Sequence, residues 1–201
     1  MAEALGNKPA WVLIDNFSDG NYTTNPVWGN GGSYPGFSVV SSDLIGSTPE
    51  YSLYTPFGSS AGGTWAADMS WTSGLTEFGF TYPTGTHINP QPRFYYGIQV
   101  DGSTLYLTQG TGGATETSPA TYATIASTAW APTSGTYYAY RIQWNGTTGA
   151  TTVFINGVSK LTGTQVWDGQ NAGAEVFTAG TAGWTNFYFN SNTTAGASPI
   201  G

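Results

Sequence analysis

Few residues in this chain are able to do chemistry, and they are scattered. Its 201 residues hold 11 Asp and Glu, 4 Lys and Arg, 1 His and no Cys. Glycosidic cleavage needs two carboxyl groups about 5–9 Å apart. The glutamates are Glu3, Glu50, Glu77, Glu116 and Glu175, and none lies within two residues of an aspartate. Asp68 in "ADMSW" and Glu77 in "TEFGF" flank the link "TSGL", so they are the acids that strand pairing could bring together. A lone strand carboxylate, however, is more commonly solvated or hydrogen-bonded than catalytic. His87 stands by itself in "YPTGTHINPQP", and zinc takes its His and Cys ligands in sets. No Gly-x-x-x-x-Gly-Lys loop exists to cradle a phosphate. The expectation is that the protein is not an enzyme.

One stretch has the spacing of a calcium loop. In "IDNFSDGNYTTNPVW", Asp15 takes position 1, Asp19 position 5 and Gly20 position 6 of an EF-hand loop. Position 3 is then Phe17 and position 12 is Pro26, neither of which ligates as that loop requires. The stretch reads better as a strand that turns at Asp19-Gly20 with Phe17 packed inward. Calcium bridging Asp15 or Asp19 to backbone carbonyls stays open as the one cofactor expectation.

The elements that must position such residues are strands. Apolar residues alternate with small polar ones, and Gly or Pro interrupts every ten residues or so, the pattern of an all-β chain. Predicted strands include Val12–Phe17, Thr64–Trp71, Glu77–Tyr82, Arg93–Val100, Thr104–Gln109, Thr136–Trp144 and Thr151–Ile155. So many short strands in one domain imply two stacked antiparallel sheets. Residues 1–201 read as a single domain, with extended arms at 1–10 and 190–201.

The clearest hairpin is "RFYYGIQVDGSTLYLTQ". Asp101-Gly102 at the centre of a type I′ turn would set Gln99 opposite Thr104, Gly97 opposite Tyr106 and Tyr95 opposite Thr108. Alternation then places Phe94, Tyr96, Ile98, Val100, Leu105 and Leu107 on a core face. Arg93, Tyr95, Gln99, Thr104, Tyr106 and Thr108 share the other. That second face mixes rings with an arginine, an amide and hydroxyls, which suits a sugar: rings stack on a pyranose while Arg93 and Gln99 reach its hydroxyls. Its plainer reading is cross-strand aromatic cover over a glycine. Trp167 and Asp168 in "VWDGQNAG" offer a second ring and carboxylate in a turn-rich loop. Trp28, Tyr34 and Trp184 also neighbour glycines and are expected to be exposed. Trp65, Met69 and Trp71 alternate on one strand and are expected in the core.

Bulk properties narrow the function. A net charge of −7 with only four cations excludes the basic stripe that nucleic acid demands. No apolar run approaches the roughly 20 residues of a membrane span. The start "MAEALGNKPAWVLID" lacks a basic region followed by an apolar one, so no signal peptide is recognised.

Two stretches carry a resemblance. "YRIQW" followed by "TVFINGV", with its tight Asn156-Gly157 turn, resembles the concanavalin A-like lectin and glucanase superfamily, including laminin-G-like domains. "DNFSDGNYTTNPVW" resembles the entry strand of laminin-G-like modules of bacterial or phage surface proteins. What the resemblance implies is a two-sheet antiparallel jelly-roll sandwich, with glycan bound on the concave sheet or at a loop edge. The glucanase branch carries Glu-x-Asp-x-Glu on one strand, and this chain has no such run. The expected function is a non-catalytic, surface-displayed module for glycan binding or adhesion. The alternatives are a structural virion or surface-layer subunit and, less favoured, a β-glucanase-like hydrolase using Asp68 and Glu77. Expected partners are a glycan or cell-surface polysaccharide, or further copies in a surface assembly. The expected location is extracellular or on a virion surface.

Overall fold

The computed structural model describes residues 11–24, 26–28, 36–47, 51–54, 62–81, 95–111, 121–164 and 173–191. They form strands in two antiparallel sheets, and among the described residues there is no helix. The eight-stranded sheet runs β12 (Val158–Thr164), β11 (Ala150–Ile155), β10 (Tyr137–Asn145), β5 (Gly62–Ser73), β14 (Thr181–Asn190), β3 (Asp43–Gly46) and β2 (Phe37–Val40). Its eighth strand, β1 (Val12–Asp15), also pairs with β14. The six-stranded sheet runs β4 (Tyr51–Tyr54), β13 (Gly173–Thr178), β6 (Thr76–Thr81), β7 (Tyr95–Val100), β8 (Thr104–Thr111) and β9 (Thr121–Ala129).

The period of two dictates what lies between the sheets. Leu44, Trp65, Met69, Tyr140, Ile142, Trp144, Val153 and Trp184 of the larger sheet are buried against Phe78, Ile98, Val100, Leu105, Leu107 and Val176 of the smaller. Each such side chain stabilises the fold by roughly 1.5–3 kcal/mol when fully buried. Edge strand β12 packs on edge strand β9, closing the sandwich on that side. Gly163 permits this approach, since a Cβ there would stand 2.8 Å from both Leu107 Cδ2 and Ile125 Cγ2.

Two turns decide register. At Asn156-Gly157 both residues have positive φ (48° and 76°), as a type I′ turn requires, and Ile155 pairs with Val158. The expected type I′ turn at Asp101-Gly102 is corrected. Only Gly102 there has positive φ (90°), and Asp101 N–H donates across the hairpin to the Thr104 carbonyl at 3.3 Å. The reason is the Asp101 side chain: Oδ1 accepts from Ser103 N–H (3.0 Å) and Thr104 N–H (2.8 Å), which makes Gly102-Ser103 the turn centre. Gln99 therefore faces Tyr106, and Gly97 faces Thr108. The slip is an even number of residues, so the division into faces survives. Tyr96, Ile98, Val100, Leu105 and Leu107 are all in the core.

Three further expectations change. Trp28 and Trp184 are fully buried rather than exposed, whereas Trp65 and Met69 are core as expected and Trp71 packs at its margin. Trp28 is held inward by two bonds: its backbone N–H donates to the Tyr22 carbonyl at 2.9 Å and its indole N–H to Asp15 Oδ2 at 2.7 Å. Asp68 and Glu77 cannot act together. Asp68 alternates with core Ala67 and Met69 and lies on the outer side of the eight-stranded sheet. Glu77 alternates with core Phe78 and lies on the outer side of the other. The whole core separates them, and packed sheets stand about 10 Å apart.

Candidate functional site

The outer face of the six-stranded sheet carries Gln99, Tyr106 and Thr108 of the polar groups foreseen for the hairpin, with additions from β6 and β13. One row across the strands reads Phe177, Glu77, Gln99, Tyr106 and Ser127. The next contains Glu175, Gly79, Gly97 and Thr108. Gly79 and Gly97 lie directly opposite each other and leave no side chain between the rows' ends. A Cβ on Gly79 would meet Tyr96 O at 2.3 Å, so the backbones approach too closely for any other residue. Thr108 Oγ1 donates to the Gly97 carbonyl at 3.4 Å, so Thr108, not Tyr106, is the cover beside this glycine.

Hydrogen bonds organise the first row. Gln99 Nε2 donates to Glu77 Oε1. The Tyr106 hydroxyl donates to Asp101 Oδ2 at 3.0 Å. Glu77 is only 3% exposed. Burial outweighs the Gln99 bond and pushes its carboxyl up to about 8, so it is neutral at pH 7. Asp101 goes the other way. Burial opposes its charge, but the N–H groups of Ser103 and Thr104 and the hydroxyls of Tyr106 and Ser103 outweigh it and hold the carboxyl below its ordinary range. Glu175 is 1% exposed on the strand next to Glu77. Gln99 and Tyr106 are half-buried, and Ser127 at the end of the row is exposed.

Of the residues proposed for sugar binding, the fold brings Gln99 and Tyr106 side by side. Tyr95 opens β7 opposite Thr81. Arg93, Trp167 and Asp168, like His87 and Tyr34, lie outside the described residues. The sequence pairs Glu77 with Asp68 and leaves Glu175 out, because each glutamate is a single acid in its own segment. Only the pairing of β13 with β6 makes them neighbours.

The two acids considered for calcium are engaged by protein donors. Asp15 Oδ1 accepts from Phe17 N–H (2.8 Å) and Oδ2 from the Trp28 indole N–H (2.7 Å). Burial raises the Asp15 carboxyl against these bonds. Exposed Asp19 accepts from the backbone and side chain of Asn21, both at 3.1 Å. A cation at Asp15 would displace bonds that hold Phe17 and Trp28, whose rings close on Phe187 at centroid distances of 5.8 and 4.8 Å. Among the described residues no group of three or more His, Cys, Asp or Glu is placed to hold a metal. Calcium takes about 6–8 oxygens, of which these two carboxylates, each already accepting hydrogen bonds, would supply a minority.

No protein-family model matches the chain, and no curated protein matches it in sequence. Solved structures do match in shape. The carbohydrate-binding module CBM66 from Bacillus subtilis superposes with a TM-score of 0.62 at 10% identity, over 92% of this chain and 98% of that one. A β-glucanase from Bacillus licheniformis gives 0.55 at 12% identity, over 93% and 99%. A prokaryotic β-1,3-1,4-glucanase (lichenase) from a mouse hindgut metagenome gives 0.54 at 12% identity, over 92% and 100%. The fold is therefore the all-β, two-sheet jelly-roll sandwich of the concanavalin A-like kind.

Proposed function

We propose that the protein is a non-catalytic, lectin-like module that binds glycan on the outer face of its six-stranded sheet, for adhesion at an extracellular surface. The observation that carries this reading is the Gln99–Tyr106 pair. A half-buried amide and a half-buried phenol stand directly opposite each other, in the row next to the Gly79–Gly97 pair. An aromatic ring and an oriented amide are the two groups that a pyranose uses, one for stacking and one for its hydroxyls. That a carbohydrate-binding module and two glucanases share the fold supports a saccharide as the ligand class. The test is calorimetry against cello-, laminari-, xylo- and manno-hexaose and their anionic counterparts. Tyr106→Ala or Gln99→Ala is expected to weaken binding at least tenfold, and Lys160→Ala to leave it unchanged. Absence of binding across the panel refutes the reading.

One observation favours a second reading, hydrolysis. Glu77 and Glu175 share a face on adjacent strands, offset diagonally because Glu175 pairs with Gly79 and Glu77 with Phe177. Diagonal cross-strand neighbours lie about 7–8 Å apart, inside the range that paired glycosidase carboxyls occupy. A neutral Glu77 has the protonation of a general acid. Reducing-sugar release that disappears in both Glu77→Gln and Glu175→Gln would establish this reading and displace the first.

A further inference from the structure

The polar groups of the glycan face are not free to choose their orientation. Gln99 spends one N–H of its amide on Glu77, which leaves the other N–H as a donor and the carbonyl oxygen as an acceptor, both at fixed positions. Tyr106 spends its O–H on Asp101, which leaves the phenol oxygen as an acceptor. Asp101 is itself immobilised by two backbone N–H groups of the turn. An ionised carboxylate only accepts, so Tyr106 cannot reverse this bond. The face thus offers one amide donor and two acceptor oxygens, held in place by the Glu77 and Asp101 carboxyl groups.

Charge narrows what can meet that pattern. Glu77, Glu175 and Asp101 all belong to this face or its rim. The two cations among the described residues are elsewhere. Arg141 stacks 4.1 Å from the Phe154 ring centroid on the eight-stranded sheet, and Lys160 lies 5.2 Å from the Trp130 ring on edge strand β12. A ligand carboxylate or sulfate would meet the ionised Asp101 carboxylate and the acceptor oxygens, while neutral Glu77 adds no charge and the described cations stand on the other sheet and its edge. A sugar hydroxyl both donates and accepts, so adjacent hydroxyls satisfy the pattern with no charge at all.

We propose that Glu77 and Asp101 are positioning residues that fix the Gln99 amide and the Tyr106 hydroxyl, so that the face selects a neutral saccharide through adjacent hydroxyls. The inference rests on the glycan-binding reading and adds the ligand class and the residues that set it. Its test uses the full chain and the neutral hexasaccharide that binds best in the panel, together with a deoxy analogue of that sugar and oligoalginate as the anionic probe. Glu77→Leu removes the anchor of Gln99 without leaving a buried charge, and its thermal midpoint reports that it is folded. It is expected to weaken neutral binding about tenfold and to reduce the preference for the intact sugar over its deoxy analogue. Glu77→Gln, whose carbonyl can accept the same bond, is expected to restore both. A folded Glu77→Leu protein with unchanged affinity and unchanged preference would overturn the positioning role while the glycan reading stands. Binding to oligoalginate but to none of the neutral sugars would overturn the ligand class alone. No binding to any saccharide would defeat the glycan reading itself, and with it this inference.

Discussion

Glu77→Gln should change how stability depends on pH, in a direction opposite to the usual carboxylate. Burial raises the Glu77 carboxyl from 4.5 to about 8. Between those values the folded protein keeps a proton that the unfolded chain gives up. Stability is therefore highest at the acid end of this window and falls as pH rises through it, levelling above about pH 8. At 1.36 kcal/mol per pKa unit, the full fall is about 4–5 kcal/mol. Glutamine is neutral at every pH and keeps an acceptor for Gln99, so the variant loses this fall. Asp15 and Asp68, also raised by burial, contribute slope of the same sign that the variant retains. The difference between the two proteins thus isolates Glu77. Urea unfolding followed by tryptophan fluorescence from pH 5 to pH 9 measures it. The expected result is near-equal stability at pH 5 and a variant more stable by about 4 kcal/mol at pH 9. Curves that stay parallel across that range, or a wild-type protein that gains stability toward pH 8, would refute the reasoning.

Asp15→Ala leaves the buried Trp28 indole N–H and the Phe17 N–H without their acceptor, and should cost about 2–4 kcal/mol in urea unfolding, since each lost partner carries about 1–3 kcal/mol. Gly79→Ala and Gly157→Ala separate two uses of glycine. At Gly157 nothing stands within 4 Å of a new Cβ, so only its φ of 76° is strained, and the expected cost is about 1–2 kcal/mol. At Gly79 the Cβ would stand 2.3 Å from a backbone oxygen, so the β6–β7 pairing must shift and the thermal midpoint should fall much further. Trp28→Phe should lower the native fluorescence and destabilise the protein, whereas an exposed sugar-stacking tryptophan at that position would show neither the stability loss nor protection from quenchers.

The fold was readable because alternation is local. Strands such as Thr64–Trp71 and Thr136–Trp144 announce a buried face every second residue, and their partners need not be known. The two strands that escaped notice show the limit. In Val158–Thr164 only Leu161 is buried, so an edge strand exposed on both sides has no alternation to read. Asp43–Gly46 follows a turn made by Ser41 and Ser42 at positive φ, where no Gly or Pro marks the bend. The site was readable only within its hairpin. Gln99 and Tyr106 follow from face parity, which tolerates an even slip in register. Glu77 and Glu175 depend on pairings between segments far apart in sequence, and no turn signature links them. The tryptophans failed for the converse reason: glycine neighbours suggest loops, but Trp28 is recruited to the core by a carboxylate thirteen residues earlier.

The pairing of β1 with β14 also has a mechanical side. The strands are antiparallel with Val12 opposite Phe189, so tension applied at these two residues pulls at the same end of the ladder. Such loading opens hydrogen bonds one after another, as a zipper does, instead of shearing a whole row at once. The first strand should peel at low force until the pull reaches Asp15, where the carboxylate ties the chain to Trp28 and the Phe187 cluster. Single-molecule extension should then show a short, weak release ahead of the main rupture, and loss of that two-step record in Asp15→Ala. A domain tethered by those strands would lengthen by a few residues under drag while its six-stranded sheet, on the far side of the core, stayed intact.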